Sequence, residues 1–305
     1  MKHKVLICDT VDVKALALPE DFEVEYSPKI TPEELLLKVP DFEAVVVRSR
    51  TKIDAGVIDK ASKLKIIARP GTGLDNIDLK AANDRGIEVV NSPEALVEAV
   101  SEHVLALMLA LARGIPAADS STRSGQWQKE RFVGLELKGK TIGIAGMGRI
   151  GRRVGEIAKV LGMSVLGYDI IEISKDVLSS IGCTMVDLDT LFSSSDFITL
   201  HVPLSPETRH LVDSRRLALM KKGSFIVNTS RGEVIDEVAL AQALRDGTIA
   251  GAALDVFEKE PPGPEILGAP NLIATPHIGG QTSDAQRMAI TVTGAKLVQF
   301  FQRRE

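Results

Sequence analysis

The stretch Thr141–Gly151, TIGIAGMGRIG, decides the fold of this chain. Thr141–Ala145 is a short apolar run that reads as a strand, and it ends directly in the pattern Gly146-x-Gly148-x-x-Gly151. The helical sequence RIGRRVGEIAKVLG begins inside that pattern. Strand, glycine turn and helix in this order open a dinucleotide-binding βαβ unit. The glycines allow a tight turn, a close backbone approach to a pyrophosphate and close packing of helix on strand, while the helix N-terminus faces the anion. Gly146, Gly148 and Gly151 are therefore candidate cofactor residues. The next strand signal, Ser164–Tyr168, ends at Asp169, 18 residues beyond Gly151. That is close to the ~20 at which an acid reaches the ribose hydroxyls. A carboxylate there repels a 2′-phosphate, so the expected cofactor is NAD rather than NADP.

Outward from this motif the same alternation covers nearly the whole chain. Further strand signals follow at Phe197–His201, Ser224–Asn228, Gly251–Asp255 and Leu272–Ala274, giving six in this block, enough for a complete dinucleotide-type sheet. Before it, strands are expected at Lys4–Asp9, Ala44–Arg48, Leu64–Arg69 and Ile87–Asn91, with helices at 32–38, 55–61 and 79–85 between them. Thr31 with Glu34 forms the capping signature of the first of these helices. A long apolar helix runs from Glu94 to Arg113, and a last helix from about Ser283 to Gln302 is expected to return to the first lobe. The composition agrees with an α/β protein. Hydrophobic residues make up 44% and aromatics only 4%, so Val, Ile, Leu and Ala must fill a core of covered parallel sheets.

Composition also excludes. Lys plus Arg number 37 against 41 for Asp plus Glu, a net charge of −4, without the basic excess of a nucleic-acid protein. The greasiest window, Leu105–Ala112, falls well short of the ~18 residues of a membrane span. Two cysteines, Cys8 and Cys183, give no disulfide framework and fit a reducing, cytoplasmic setting. No metal ligand set is assigned.

Three later segments carry polar residues at strand ends, where open α/β sheets bind ligands. They are NTSRG (Asn228–Gly232) with Arg231, DVFEKEPP (Asp255–Pro262) with Asp255 and Glu260, and TPHIGG (Thr275–Gly280) with His277. Hydride chemistry on a hydroxy acid needs such a set: an arginine for the carboxylate and carbonyl, a histidine to move the proton, and a carboxylate to orient the histidine. His3, His103, His201 and His210 read as satisfied loop residues, with His201 also a candidate for the cofactor site.

These segments, with RSRTKI (Arg48–Ile53) and RPGTGLDNIDL (Arg69–Leu79), closely resemble the D-isomer-specific 2-hydroxyacid dehydrogenases, in particular the branch that oxidises D-3-phosphoglycerate. The spacing agrees too: Asp255 lies 24 and Glu260 29 residues beyond Arg231. The resemblance implies a Rossmann-type doubly wound parallel sheet over 94–281. It implies a second, discontinuous flavodoxin-like α/β substrate domain over 1–93 and 282–305. It makes Arg231 the substrate anchor, Glu260 the partner of the histidine and His277 the general acid/base. Asp255 is placed on the nicotinamide carboxamide. Arg149 and Ile150 (through their backbone amides on the pyrophosphate), Thr72, His201, Val202, Pro203, Thr208, Thr229, Ser230, Arg231, His277, Gly279 and Gly280 join the cofactor set. Arg48, Ser49, Arg69, Gly71, Thr72, Gly73, Arg231 and His277 form the substrate set.

Arg48, Arg50 and Lys52 alternate along RSRTK, so an extended segment would turn all three cations one way. With Arg69, they favour a phosphorylated 2-hydroxy or 2-oxo acid as the small-molecule partner. The expected reaction is NAD-dependent oxidation of D-3-phosphoglycerate, the entry to serine biosynthesis. Glyoxylate, hydroxypyruvate or D-lactate as substrate is the alternative within the family. An NAD-sensing scaffold or corepressor is the alternative of another class. The family works as a homodimer or homotetramer. The helix from Glu94 and the arm with Trp127 and Phe132 are the candidate surfaces, and Lys129 or Arg131 is a candidate cation for a neighbouring subunit. About three residues follow the last helix, so the C-terminal effector-binding extension of many relatives is expected to be missing.

Overall fold

Strands and helices alternate through two separate parallel sheets, as the α/β reading requires. The computed structural model describes residues 2–304. It divides into two compact units, Met1–Val97 with Gly280–Glu305, and Glu98–Gly279.

The first unit holds β1 (His3–Ile7), β2 (Phe22–Tyr26), β3 (Ala44–Val46), β4 (Ile66–Arg69) and β5 (Glu88–Asn91) in the order β2-β1-β3-β4-β5, all parallel. This is the flavodoxin-like order. Side chains alternate between the two faces, as the strand period of two dictates. Leu6, Val45 and Ile67 pack with Leu35, Val57, Ile58 and Ala82 of the three short helices. Val5, Ile7, Val46, Ile66 and Ala68 pack with Ile290, Leu297, Phe300 and Phe301 of the helix Ser283–Gln302. Each of those large side chains contributes about 1.5–3 kcal/mol by leaving water. The capping box at Thr31 and Glu34 is present: Thr31 Oγ1 accepts from the Glu34 amide at 3.2 Å and Glu34 Oε2 from the Thr31 amide at 3.0 Å.

The second unit holds β6 (Thr141–Ala145), β7 (Ser164–Tyr168), β8 (Cys183–Met185), β9 (Phe197–Leu200), β10 (Phe225–Asn228), β11 (Gly251–Leu254) and β12 (Leu272–Ala274). Their order is β12-β11-β10-β9-β6-β7-β8, again all parallel. Ile198, Leu200, Ile226, Ala252 and Leu254 face one layer of helices, and Ile142, Ile144, Phe197, Val227 and Ala253 face the other. The doubly wound fold class is as expected. Two edge strands are additions to the sequence reading. Phe22–Tyr26 alternates glutamates with apolar residues, and Cys183–Met185 is only three residues long, so neither shows the apolar run of a central strand.

The expected long helix is two pieces, a 3₁₀ turn at Pro93–Leu96 and an α-helix at Val97–Arg113. Pro93–Arg113 has the length and hydropathy of a membrane span. However, Val104, Leu107, Met108 and Ala112 lie in the core of the second unit against Ile142 and Ile144.

Candidate functional site

Strand register builds the site of the second unit. Ala145 pairs with Tyr168 on one side and Leu200 on the other, and the same level continues through Asn228, Leu254 and Ala274. The next residue on each chain is therefore at a common carboxyl edge. In spatial order these are Asp169, Gly146, His201, Thr229, Asp255 and Thr275. At ~4.8 Å per strand the row is about 24 Å long. The chain leaves β6 towards β7 and β8 and returns to β9 on the other side, so the switch point of the sheet lies between Gly146 and His201.

The residues at this switch point fit a dinucleotide. Gly146 has φ 98°, and a Cβ there would stand 2.6 Å from the His201 carbonyl oxygen, so no other residue allows this turn. The face of Gly148 is open, and no side chain caps the helix Arg149–Val160 that starts behind it. Its first amides are thus presented to an anion, together with the positive end of the helix dipole. Asp169 accepts from the Met147 amide (2.7 Å) and the Ile171 amide (3.0 Å), which fixes its carboxylate beside the glycine turn. Thr229 Oγ1, in the middle of the row, is buried with no hydrogen-bond partner. Burial pushes the His201 imidazole down to about 3, so it stands neutral at the switch point, with Nε2 3.0 Å from Thr199 Oγ1. Val202 and Pro203 follow it into a loop that Thr208 shapes, by donating its hydroxyl to the Pro203 carbonyl at 2.6 Å.

Arg231 is delivered by a turn at the end of β10. The buried Asn228 side chain accepts from the Ser230 amide (3.0 Å) and hydroxyl (2.8 Å) and donates to the Arg231 carbonyl (2.8 Å). The Arg231 guanidinium donates to the Ser230 carbonyl at 2.7 Å. Gly232 then lies directly against the backbone of Phe257 and Glu258 in the loop that follows β11. That loop carries Glu260, and both of its carboxylate oxygens lie 3.0 Å from His277 Nδ1. The contact fixes the tautomer. Nδ1 carries the proton donated to the carboxylate, and Nε2 is left as the acceptor. His277 itself has a left-handed backbone, with φ 56°. Asp255 is 1% exposed, and its carboxylate accepts from Thr275 Oγ1 (2.5 Å) and from the Ile278 (2.9 Å) and Gly279 (2.8 Å) amides. It therefore holds the turn that displays His277, besides any contact with a nicotinamide.

In the first unit the substrate candidates also gather at a carboxyl edge. Arg69 ends β4, donates through Nε to Asn76 Oδ1 (3.3 Å), and its guanidinium lies over Gly71. The turn Gly71–Gly73 is tied by the Gly71 amide to Ser92 Oγ (2.9 Å) and by Asn91 Nδ2 to the Thr72 carbonyl (2.6 Å), while Thr72 Oγ1 is buried without a partner. The extended reading of RSRTK needs correction. β3 stops at Val46 and the chain bends at Ser49–Thr51, so the alternation does not turn the cations one way. Arg48 donates to Gln286 Oε1. Arg50 instead pairs with Asp9 (2.9 Å) and the carbonyls of Cys8, Pro28 and Ile30, a structural role.

Residues 105–279 match the family model of the D-isomer specific 2-hydroxyacid dehydrogenase NAD-binding domain. The chain belongs to that family. Over 297 residues it is 48% identical to D-3-phosphoglycerate dehydrogenase of Methanocaldococcus jannaschii, a match covering 96% of this chain and 56% of that one. A hydroxypyruvate reductase of Thermotoga maritima is 44% identical, with 94% of each chain covered. Among solved structures, a glyoxylate reductase from Paecilomyes thermophila superposes with a TM-score of 0.93 at 30% identity, covering 100% of this chain and 97% of that one. The chain spans about half the length of the phosphoglycerate dehydrogenases it first matches.

Some residues that shape these turns carry no role in the sequence reading. Asp9, 3% exposed, accepts from the Arg48 amide (2.5 Å) and Thr51 Oγ1 (2.7 Å) and so shapes the Arg48 turn. Asn76 joins the two arginine segments, donating to the carbonyls of Arg48 (2.7 Å) and Thr51 (2.6 Å) while accepting from Arg69. For Asp9 and Asn228 there was a signal: a short polar side chain closing an apolar strand is poised to bond the backbone of the turn that follows. For Asn76 and Gln286 the partners are remote in sequence, and no local pattern reveals them.

Proposed function

We propose that this chain is an NAD-dependent oxidoreductase that oxidises D-3-phosphoglycerate to 3-phosphohydroxypyruvate, the entry to serine biosynthesis. The observation that carries the chemistry is the Glu260–His277 pair at the carboxyl edge, linked through Phe257–Glu258 to the Arg231 turn. When bound, NAD would supply the acceptor for the hydride that leaves the substrate C2 carbon. Arg231 holds the carboxylate and steadies the carbonyl oxygen as it forms. His277 Nε2 accepts the C2 hydroxyl proton, and Glu260 stabilises the charge that this puts on the ring. Asp169 takes the ribose hydroxyls, and the amides of Arg149 and Ile150 the pyrophosphate. Arg48 and Arg69 of the first unit are assigned to the phosphate, with Gly71–Gly73 on the carboxylate.

A second reading has its own support. The Thermotoga hydroxypyruvate reductase matches this chain over nearly its full length, and Arg48 already has a side-chain partner in Gln286. Hydroxypyruvate or glyoxylate reduction by the same residues is that alternative. A homodimer or homotetramer belongs to the proposal, supported by Trp127 and Val133, which are 85% and 87% exposed. So does a cytoplasmic location, supported by two free, buried cysteines.

The test is His277→Ala and Arg231→Ala. Turnover is expected to fall by about 10²–10⁴-fold in each, with NAD binding largely intact. Comparable turnover in either variant would remove that residue from the mechanism.

A further inference from the structure

We propose that His103 is a positioning residue for this site: acting through Thr275 and Asp255, it locks the turn that presents His277. The inference rests on the acid–base reading above. His103 lies on the helix Val97–Arg113, outside all the strand-end segments. Its Nε2 is 3.2 Å from Thr275 Oγ1 and 3.4 Å from Asp255 Oδ1, with side chains only 17% (His103) and 2% (Asp255) exposed. The same ring packs 3.7 Å from the position of a Cβ on Gly279, beside Val100 of the same helix.

Hydrogen counting gives this cluster a direction. Thr275 has a single hydroxyl hydrogen, and its 2.5 Å contact with a carboxylate oxygen commits that hydrogen to Asp255. Thr275 Oγ1 is then left to accept, so His103 Nε2 must carry a hydrogen. The bonds run from His103 Nε2 to Thr275 Oγ1, and from the Thr275 hydroxyl to Asp255. Asp255 in turn receives the Ile278 and Gly279 amides, the two residues after His277. Burial alone would raise the Asp255 carboxyl, but the bonds from His103, Thr275 and these amides hold it below its ordinary value. An ionised Asp255 is the stronger acceptor, and the backbone it grips includes His277 in its left-handed conformation, which needs such support. The helix Val97–Arg113 is thereby fastened to the ends of β11 and β12 beside the turn that presents the acid–base ring.

Two variants test this: His103→Leu, which removes the donor at similar volume, and His103→Gln, whose amide nitrogen can take the place of Nε2. In ligand-free protein, amide hydrogen exchange at Ile278 and Gly279 is expected to rise about tenfold in His103→Leu, the scale of one lost hydrogen bond, and to return towards wild type in His103→Gln. In turnover, kcat should fall with His103→Leu and recover with His103→Gln. Thr275→Val keeps His103 and cuts the relay, so it should loosen the same two amides even if the leucine variant fails to fold. Unchanged exchange at both amides in Thr275→Val, or a glutamine variant no better than the leucine one, overturns the proposal. The exchange result holds whether or not the wild-type protein turns over a hydroxy acid, so failure of the functional reading is seen separately.

Discussion

Gly232→Ala isolates the geometric link between Arg231 and the Glu260–His277 pair. Gly232 opens the short 3₁₀ turn Gly232–Val234 directly after Arg231. A Cβ there would lie 1.8 Å from the Phe257 carbonyl carbon, 2.0 Å from its oxygen and 2.3 Å from the Glu258 nitrogen. All three are backbone atoms, so no side chain can swing aside. Ordinary contact begins at 3.4 Å, so one loop must retreat by roughly 1.6 Å, whereas a misplacement of about 1 Å already costs about 10²-fold in rate. The Phe257–Glu258 loop is not free to move independently. Phe257 is buried, and Glu258 is bound reciprocally to Glu237, each side chain accepting from the other's amide at 3.0 and 2.7 Å. If it moves, Glu260 leaves the 3.0 Å contact with His277; if the other side moves, Arg231 is displaced. Either way kcat/KM should fall at least about 100-fold, near 2.7 kcal/mol of transition-state stabilisation, while overpacking costs about 1–3 kcal/mol of stability and leaves the protein folded. Gly263→Ala is the control, because its Cβ would meet nothing within 4 Å and its φ is −79°. Steady-state kinetics with a thermal melt on both variants provide the assay. A Gly232→Ala enzyme with wild-type kcat/KM and melting temperature would refute the reasoning.

Further outcomes follow from single contacts. Asp169→Ala removes the carboxylate beside the glycine turn, so KM for NAD should rise about 10- to 100-fold and the preference over NADP should shrink in matched assays. Burial raises the Glu237 carboxyl, with the nearby Glu258 and Glu233 charges adding to it. The folded state therefore binds that proton more tightly than the unfolded chain, and this stabilisation is lost as pH rises from below 4.5 through the raised value. Glu237→Gln keeps the acceptor for the Glu258 amide without the charge, so its melting temperature relative to wild type should climb by about one to a few degrees between acid and neutral pH. An offset that is constant with pH would contradict this. Arg48→Ala should raise KM for D-3-phosphoglycerate about tenfold or more while KM for glyoxylate stays as it was. Equal effects on both would remove Arg48 from the phosphate.

The sequence made the second sheet legible because its central strands are buried on both sides and read as unbroken apolar runs, closed by polar residues such as Asp169 or Asp255. Phe22–Tyr26 and Cys183–Met185 lack that signature, because glutamates interrupt the first and a threonine the very short second, and both were invisible. At the site, the residues assigned to a ligand sit in recognisable turns, whereas those that hold them come from elsewhere. His103, 172 residues from Thr275, looked like any helix or loop histidine. The misreading of RSRTK has the same origin. Period-two reasoning holds only while the backbone stays extended, and the chain bends at Ser49–Thr51, around contacts that Asp9 makes from the end of another strand.

The central claim is hydride transfer from a phosphorylated 2-hydroxy acid by the Arg231–Glu260–His277 set. Its most direct test is NADH formation by the purified chain, with D-3-phosphoglycerate, D-lactate and, in reverse, glyoxylate and hydroxypyruvate measured side by side. The highest kcat/KM is expected with D-3-phosphoglycerate and NAD, and the activity should be abolished by His277→Ala. A preference for glyoxylate or hydroxypyruvate would contradict the phosphorylated substrate, and NAD binding without turnover on any of the four would contradict the enzyme.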